Sequence, residues 1–324
     1  MKGAMQTHMN KRQRVFRAMD MKEVDHVPVG FWHHYSGKQA RGEACVKAHL
    51  DYYFEVDTDI MKIMCDAYFP YPIEIEVNKA SDWYNLAPLG KDHPYIQEQV
   101  WRVKRIKEAI GDERAVFYNV NAPFSSLRNG AGDDRVMSHL REDKGAVMHV
   151  LGIVAQDNAT ICELCLEEAK ADGIYMPVQG GELNRFSYDE YREMIAPSDL
   201  YVLNHANKFS DYNILHACGW AGDKNRLELW RDYPAKAVNW AVFVEEVSME
   251  QGREYFGGRC CLGGFRNTRP GILFYGTKYE IQEYTRNLIS TFGKIGLMLG
   301  ADCTIPAEVP HERIKWVVEA ARQM

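Results

Sequence analysis

Three residues have both the chemistry and the placement to hold a metal ion: His216, Cys218 and Cys303. The first two lie in Asn213-Ile214-Leu215-His216-Ala217-Cys218-Gly219, an apolar run that stops at a glycine. Residues two apart on a strand leave the same face, so the imidazole and the thiol point the same way. Together they are ligands for a soft-to-borderline metal such as zinc. Taken alone, the pair reads more simply as a buried cysteine beside a hydrogen-bonded histidine. Cys303 shifts the balance. It follows Leu299-Gly300-Ala301-Asp302, again just past a short apolar run. The interval from Cys218 is far too long for a zinc finger, but it suits ligands brought together by the closure of a barrel. One imidazole and two thiols leave a fourth position for a substrate, as a catalytic zinc site requires.

Elements that would position such ligands recur along the chain. Short apolar or β-branched runs occur at Val27–Trp32, Asp59–Met64, Ala115–Val120, Gly173–Pro177, Asn213–Cys218, Lys236–Val242, Arg259–Leu262 and Gly296–Leu299. Most are followed by a helical pattern, as in βα units with buried parallel strands. Ser187 with Glu190, and Thr277 with Glu280, have the capping-box spacing that starts a helix. Gly145–Ala171 reads as one long helix. This alternation predicts an α/β fold, a (β/α)8 TIM barrel forming a single domain over residues 1–324 with an N-terminal helical extension. A doubly wound sheet is the rival, but Val27–Trp32 leads into His33-His34-Tyr35 and not into a glycine-rich phosphate loop. In a barrel the chemistry lies at the C-terminal ends of the strands, where His216, Cys218 and Cys303 all fall.

Composition narrows the function classes. With 39 basic against 45 acidic residues the net charge is −6, without the basic excess of a nucleic-acid binder. No run approaches the ~18 apolar residues of a membrane span. The N-terminal stretch lacks the apolar core of a signal peptide, so a cytoplasmic protein is expected. In that compartment the eight cysteines are read as thiols or metal ligands and not as disulfides. Cys162 and Cys165 within the long helix, and Cys260-Cys261 on a buried strand, read as apolar filler.

Several segments carry a family resemblance. Lys11-Arg12-Gln13-Arg14-Val15-Phe16-Arg17-Ala18-Met19 followed by Val24-Asp25-His26-Val27-Pro28-Val29 is similar to the opening of the uroporphyrinogen decarboxylase superfamily. So are Asn121-Ala122-Pro123-Phe124, His216-Ala217-Cys218-Gly219, Gly276-Thr277 and the tail from Ile305-Pro306 to Pro310-His311-Glu312-Arg313-Ile314. The resemblance spans nearly the whole chain and implies a barrel with its pocket at the mouth. True decarboxylases of this superfamily resemble each other in an arginine-bearing segment after the first strand. Here Gly30-Phe31-Trp32-His33-His34-Tyr35-Ser36-Gly37 stands in that place, with no arginine before Arg41. The zinc-dependent methyltransferases of the superfamily instead carry a His-x-Cys pair and a distant Cys, which His216, Cys218 and Cys303 match.

The resemblance therefore implies an enzyme holding Zn2+ and moving a methyl group between a small methylated molecule and a corrinoid carried by a partner protein. Demethylation of a methoxylated compound is favoured, because Phe31, Trp32, Tyr35, Tyr68 and Phe124 fall near strand ends and suit an aromatic or apolar substrate. Methylation of a thiol and decarboxylation of a porphyrinogen are the alternatives.

Further candidates have weaker support. Asp66 lies near the end of the second expected strand, where the superfamily often has a functional aspartate, and helix capping is the competing role. Gln179 and Glu182 follow the fourth expected strand and could reach metal or substrate. Trp32, His33 and Tyr35 follow the first and could line the mouth. Of the adjacent His33 and His34, at most one should face the pocket. Arg266, past the seventh expected strand, is a candidate anion contact.

Overall fold

The computed structural model describes residues 9–219 and 222–324, so the first part of the stretch read for a leader lies outside it. Seven parallel strands form one sheet in sequential order: β1 (Ile60–Ile63), β2 (Ala115–Asn119), β3 (Gly173–Val178), β4 (Ile214–Ala217), β5 (Ala237–Trp240), β6 (Cys260–Phe265) and β7 (Leu297–Ala301). Helices between the strands complete a TIM-barrel-like α/β fold. The capping boxes are present at Ser187 and Thr277, starting the helices Tyr188–Met194 and Lys278–Phe292. The long helix runs Lys144–Glu167, four residues short of the expected Ala171 end. No helix among the described residues is long and apolar enough to cross a membrane.

The first expected strand needs correction. Val27–Trp32 makes only an isolated parallel bridge, Val29 with Leu299, and a second follows at His33 with Ile305. The segment nevertheless bonds to both outer strands: Gly30 N–H donates to Leu299 O at 2.8 Å, and Ile60 N–H donates to Val29 O at 3.1 Å. Two local causes keep it from forming a ladder. Pro28 has no N–H to donate, and the N–H of Val29 donates to the Asp59 carboxylate at 2.9 Å instead of to a neighbouring strand.

Strand alternation sets the two faces. Ile60, Ala115, Phe117, Tyr175, Ile214, Ala237, Cys260, Leu262 and Met298 pack together with Trp32 in one buried cluster. The alternate residues, such as Met61, Val116, Ile174, Leu215 and Val238, pack in the second cluster with residues of the surrounding helices. Continuing the first series by steps of two reaches Lys62 on β1, Asn119 on β2, Pro177 on β3 and His216 on β4, and then Met64, Asn121, Gln179 and Cys218 just past the ends of those strands. The same face is thus apolar below and polar at the C-terminal ends of the strands, which is where a cavity opens.

Candidate metal centre and its cavity

His216 lies within β4, Cys218 immediately after it, and Cys303 two residues past β7. The strands bring them together. A ring nitrogen of His216 and the two Sγ atoms all lie within 4.8 Å of one another. In tetrahedral zinc geometry, sulfurs about 2.3 Å from the ion would be about 3.8 Å apart, so little movement separates this arrangement from a bound one. His216 is fully buried, and neither of its ring nitrogens has a hydrogen-bond partner among the described residues. A buried imidazole left without partners is costly, and a metal ion held with the two thiols would remove that cost. The donor set therefore fits zinc.

The surroundings hold the triad in place. The Cys218 N–H donates to Val178 O at 3.1 Å, and the Gln179 amide donates to Cys218 Sγ at 3.5 Å. The Tyr175 ring lies 5.4 Å from the His216 ring, and its hydroxyl is fixed by donation to Asn239 Oδ1 at 2.6 Å. Asn239 is itself held by donation to Leu262 O and Ala301 O. The two thiols share a proton unequally. Hydrogen bonding from Cys218 pulls the Cys303 thiol well down, helped by the nearby His216 and Lys62, while the same contact and burial push Cys218 up.

These residues line a cavity of about 380 Å³. Sequence reasoning missed its most unusual lining residue, Lys62, which is 3% exposed. Its ammonium lies over the rings of Tyr175 at 3.8 Å and Trp32 at 4.8 Å. Burial pushes its pKa down to about 8, against the opposing pull of Cys303, Cys65 and Cys218. The signal was present in Ile60-Met61-Lys62-Ile63-Met64, a single charge inside an apolar strand and on the inward parity. Asn119, Asn121 and Asn129 also line the cavity and were not singled out.

The other sequence candidates divide. Gln179 lines the cavity. Trp32 is buried beneath it, edge-on to Tyr175 at 5.1 Å. Of the histidine pair, His34 lines the cavity, whereas His33 packs against Tyr35, Tyr52 and His311 on the other side. Tyr35 likewise turns away, its ring 4.1 Å from that of His49. Asp66 does not line the cavity but acts on a residue that does: one oxygen accepts from Tyr35 N–H at 2.7 Å, and the other is 2.7 Å from His34 Nδ1.

Glu182 is placed outside the lining, buried between Arg185 at 2.9 Å and Arg128 at 3.5 Å. It fixes the loop after β3 instead of entering the cavity. Arg266 also lies outside, on the rim, donating to Thr268 and stacked near Phe243, while the adjacent Asn267 faces in. Cys162, Cys165, Cys260 and Cys261 are buried free thiols, and burial pushes all four up, as inert filler requires.

A parallel-stranded barrel-like fold with a thiol–imidazole cluster at its strand ends defines the class: an α/β protein built to carry a site in the mouth of its sheet. The chain belongs to the uroporphyrinogen decarboxylase (URO-D) family, whose sequence pattern matches residues 61–324. It is 24% identical over 260 residues to the uroporphyrinogen decarboxylase of Aquifex aeolicus (strain VF5), covering 77% of this chain and 72% of that protein. Its fold is similar to that of a methyltransferase from Methanosarcina mazei, with a TM-score of 0.78 at 16% identity over 98% and 99% of the two chains. A B12-independent methionine synthase from Shewanella sp. W3-18-1 matches more loosely, with a TM-score of 0.57 at 12% identity over 92% and 97%.

Proposed function

We propose that the protein is a zinc-dependent methyltransferase that takes the methyl group from a small methoxylated compound and passes it to a corrinoid protein. The observation that carries this reading is the convergence of His216, Cys218 and Cys303 on one cavity wall, with the imidazole free of other partners. Bound there, zinc would supply Lewis-acid stabilisation of the negative charge that develops on the ether oxygen as its methyl leaves. Two thiolates and a neutral imidazole balance the ion's charge, so the site accepts one further anionic group.

The chain's own residues do the rest. Gln179 and Tyr175 hold the ligand side chains in position. Met64, Phe69 and Pro177 give the cavity apolar wall for a ring or methyl group. The departing oxygen keeps the electron pair of the broken C–O bond and needs a proton; the methyl goes to the partner's cobalt(I). Asp66 fixes Nδ1 of His34, which leaves the second ring nitrogen of that histidine to exchange the proton at the rim.

The decarboxylase alternative is less well served. A cavity of about 380 Å³ is near the lower end of the range for small-ligand sites and is small for a tetrapyrrole. Its described lining includes no arginine, although a substrate with eight carboxylates calls for bidentate partners.

The test is to mix zinc-loaded protein, cobalt(I) corrinoid and a panel of methoxyarenes and to follow the cobalt spectrum. Zinc-dependent appearance of methylcobalt(III) is expected. Consumption of methylcobalt(III) by a thiol, with no reaction of the arenes, would reverse the direction. Inertness in both assays would overturn the methyltransferase reading.

A further inference from the structure

The Gln179 side chain makes one hydrogen bond among the described residues, and it is to a metal ligand. Its amide donates to Cys218 Sγ at 3.5 Å, while its buried Oε1 has no partner among those residues. A buried amide oxygen left unbonded costs stability, so this side chain is not there to stabilise the fold. The chemistry of the site sets the direction of the amide. A sulfur that holds a metal ion has no hydrogen left to donate, so only the N–H end of the amide can bond to it. Cys303 receives no amide donor among the described residues, so the two sulfurs are unlike. The backbone under Gln179 is held from several sides. Val178 O accepts from Cys218 N–H at 3.1 Å, and Gln179 O lies 3.2 Å from the Tyr191 hydroxyl. Gly180 follows with φ +88°, in the left-handed region that favours glycine, and a Cβ there would lie 2.9 Å from the Phe124 ring. A fixed turn, and not a free loop, presents the amide to Cys218.

We propose that Gln179 is a positioning residue that tunes the bound metal through Cys218: its N–H draws charge off that sulfur alone and leaves the ion a stronger Lewis acid towards its fourth ligand. A thiolate that accepts an N–H bond gives less charge to the ion it holds, and such outer contacts both orient a ligand and adjust the metal. Two full thiolate donors bring a divalent ion close to neutrality and blunt its pull on a substrate atom. Weakening one of them restores part of that pull. Cys303, without an amide donor, remains the stronger of the two sulfur donors. The inference rests on the zinc site proposed above, but not on the identity of the methyl donor or acceptor.

Cobalt(II) in place of zinc makes the test optical, because sulfur-to-cobalt charge transfer absorbs in the near ultraviolet and moves with the charge on the sulfur. Gln179→Leu removes the donor and keeps most of the bulk. Gln179→Asn keeps the amide but is one methylene too short to reach Cys218. In both variants the charge-transfer band should move to longer wavelength. Zinc should bind about 10-fold more weakly, at the low end of what such outer contacts carry. Either variant suffices if the other fails to fold. The loss of affinity should persist in a Cys303→Ala background and vanish in Cys218→Ala, because Gln179 acts through Cys218 alone. A role in packing would cost the same in both backgrounds and leave the band in place. An unmoved band, or an equal loss in the two backgrounds, would overturn the proposal and leave the metal centre standing. Uptake of neither cobalt nor zinc by the unmodified protein would overturn the metal centre itself, and the proposal with it.

Discussion

Cys303→Ala is the most direct perturbation of the metal centre, and the size of its effect can be worked out in advance. A ligand that binds only the folded state, present at 1,000 times its Kd, stabilises that state by about 4 kcal/mol. Unfolding entropy near 60 °C is about 2.1 cal/mol/K per residue, which for a chain of 324 residues is about 0.7 kcal/mol/K. Zinc should therefore raise the melting temperature of the unmodified protein by about 6 °C. Removing one of the three protein ligands should cost about 3 kcal/mol of zinc affinity, or roughly 100-fold. At the same zinc concentration the variant then sits at about 10 times its new Kd, which gives about 1.4 kcal/mol and a shift of about 2 °C. Without zinc the two proteins should melt close together, because the Cys303 side chain is partly open to the cavity and supports no core packing. Differential scanning calorimetry with and without zinc reads all four values. A variant that keeps the full 6 °C shift would show that Cys303 is a buried thiol and that the cluster is coincidental.

Three further outcomes follow from other parts of the fold. Asp66→Ala strips a buried acceptor from Tyr35 N–H and releases His34, so urea unfolding should show a loss of about 2–4 kcal/mol while zinc occupancy stays unchanged; a fall in zinc content would mean that Asp66 acts on the metal centre directly. Asp199 is fully buried, its carboxyl pushed up to about 7 by burial and only partly restrained by the Tyr191 and Tyr233 hydroxyls that donate to it. Because its folded pKa lies above the unfolded one, the native state binds the extra proton between about pH 4 and 7, and stability should fall as pH rises through that window. Asp199→Asn should flatten that slope and gain about 1–3 kcal/mol at pH 8 with little change at pH 4; an unchanged slope would place the titration elsewhere. Gly181 has no room for a side chain, since an added Cβ would lie 2.4 Å from the Trp230 ring, so Gly181→Ala should cost about 1–3 kcal/mol in thermal unfolding. Unaltered stability would show that the loop after β3 yields freely.

How much of this was legible in the sequence depended on whether a residue's direction was set locally. On regular strands it was: apolar runs marked all seven, and the two-residue period put His216 and Cys218 on one face with the correct outlook. The same period would have singled out Lys62, two residues from Ile60 and two from Met64, had a charge within an apolar strand been weighed as heavily as a cysteine. Cys303 was found because it sits only two residues beyond β7, where the strand still dictates direction. Where the chain leaves the sheet, alternation lost its authority. His33 continues the bridge to Ile305 and turns towards Tyr52 and His311, so that His34, and not its neighbour, reaches the cavity.

Glu182 and Arg266 fail for a related reason. Each lies in a loop, and each has its side chain settled by partners that sequence distance conceals: Arg128 lies 3.5 Å from Glu182, and the Phe243 ring underlies Arg266. The unformed first strand belongs with them, because its hydrogen bonding was decided by the Asp59 carboxylate, thirty residues away, and by a proline that lacks a donor. A charged loop residue is drawn to whichever partner the fold brings within reach, and nothing in the neighbouring sequence names that partner.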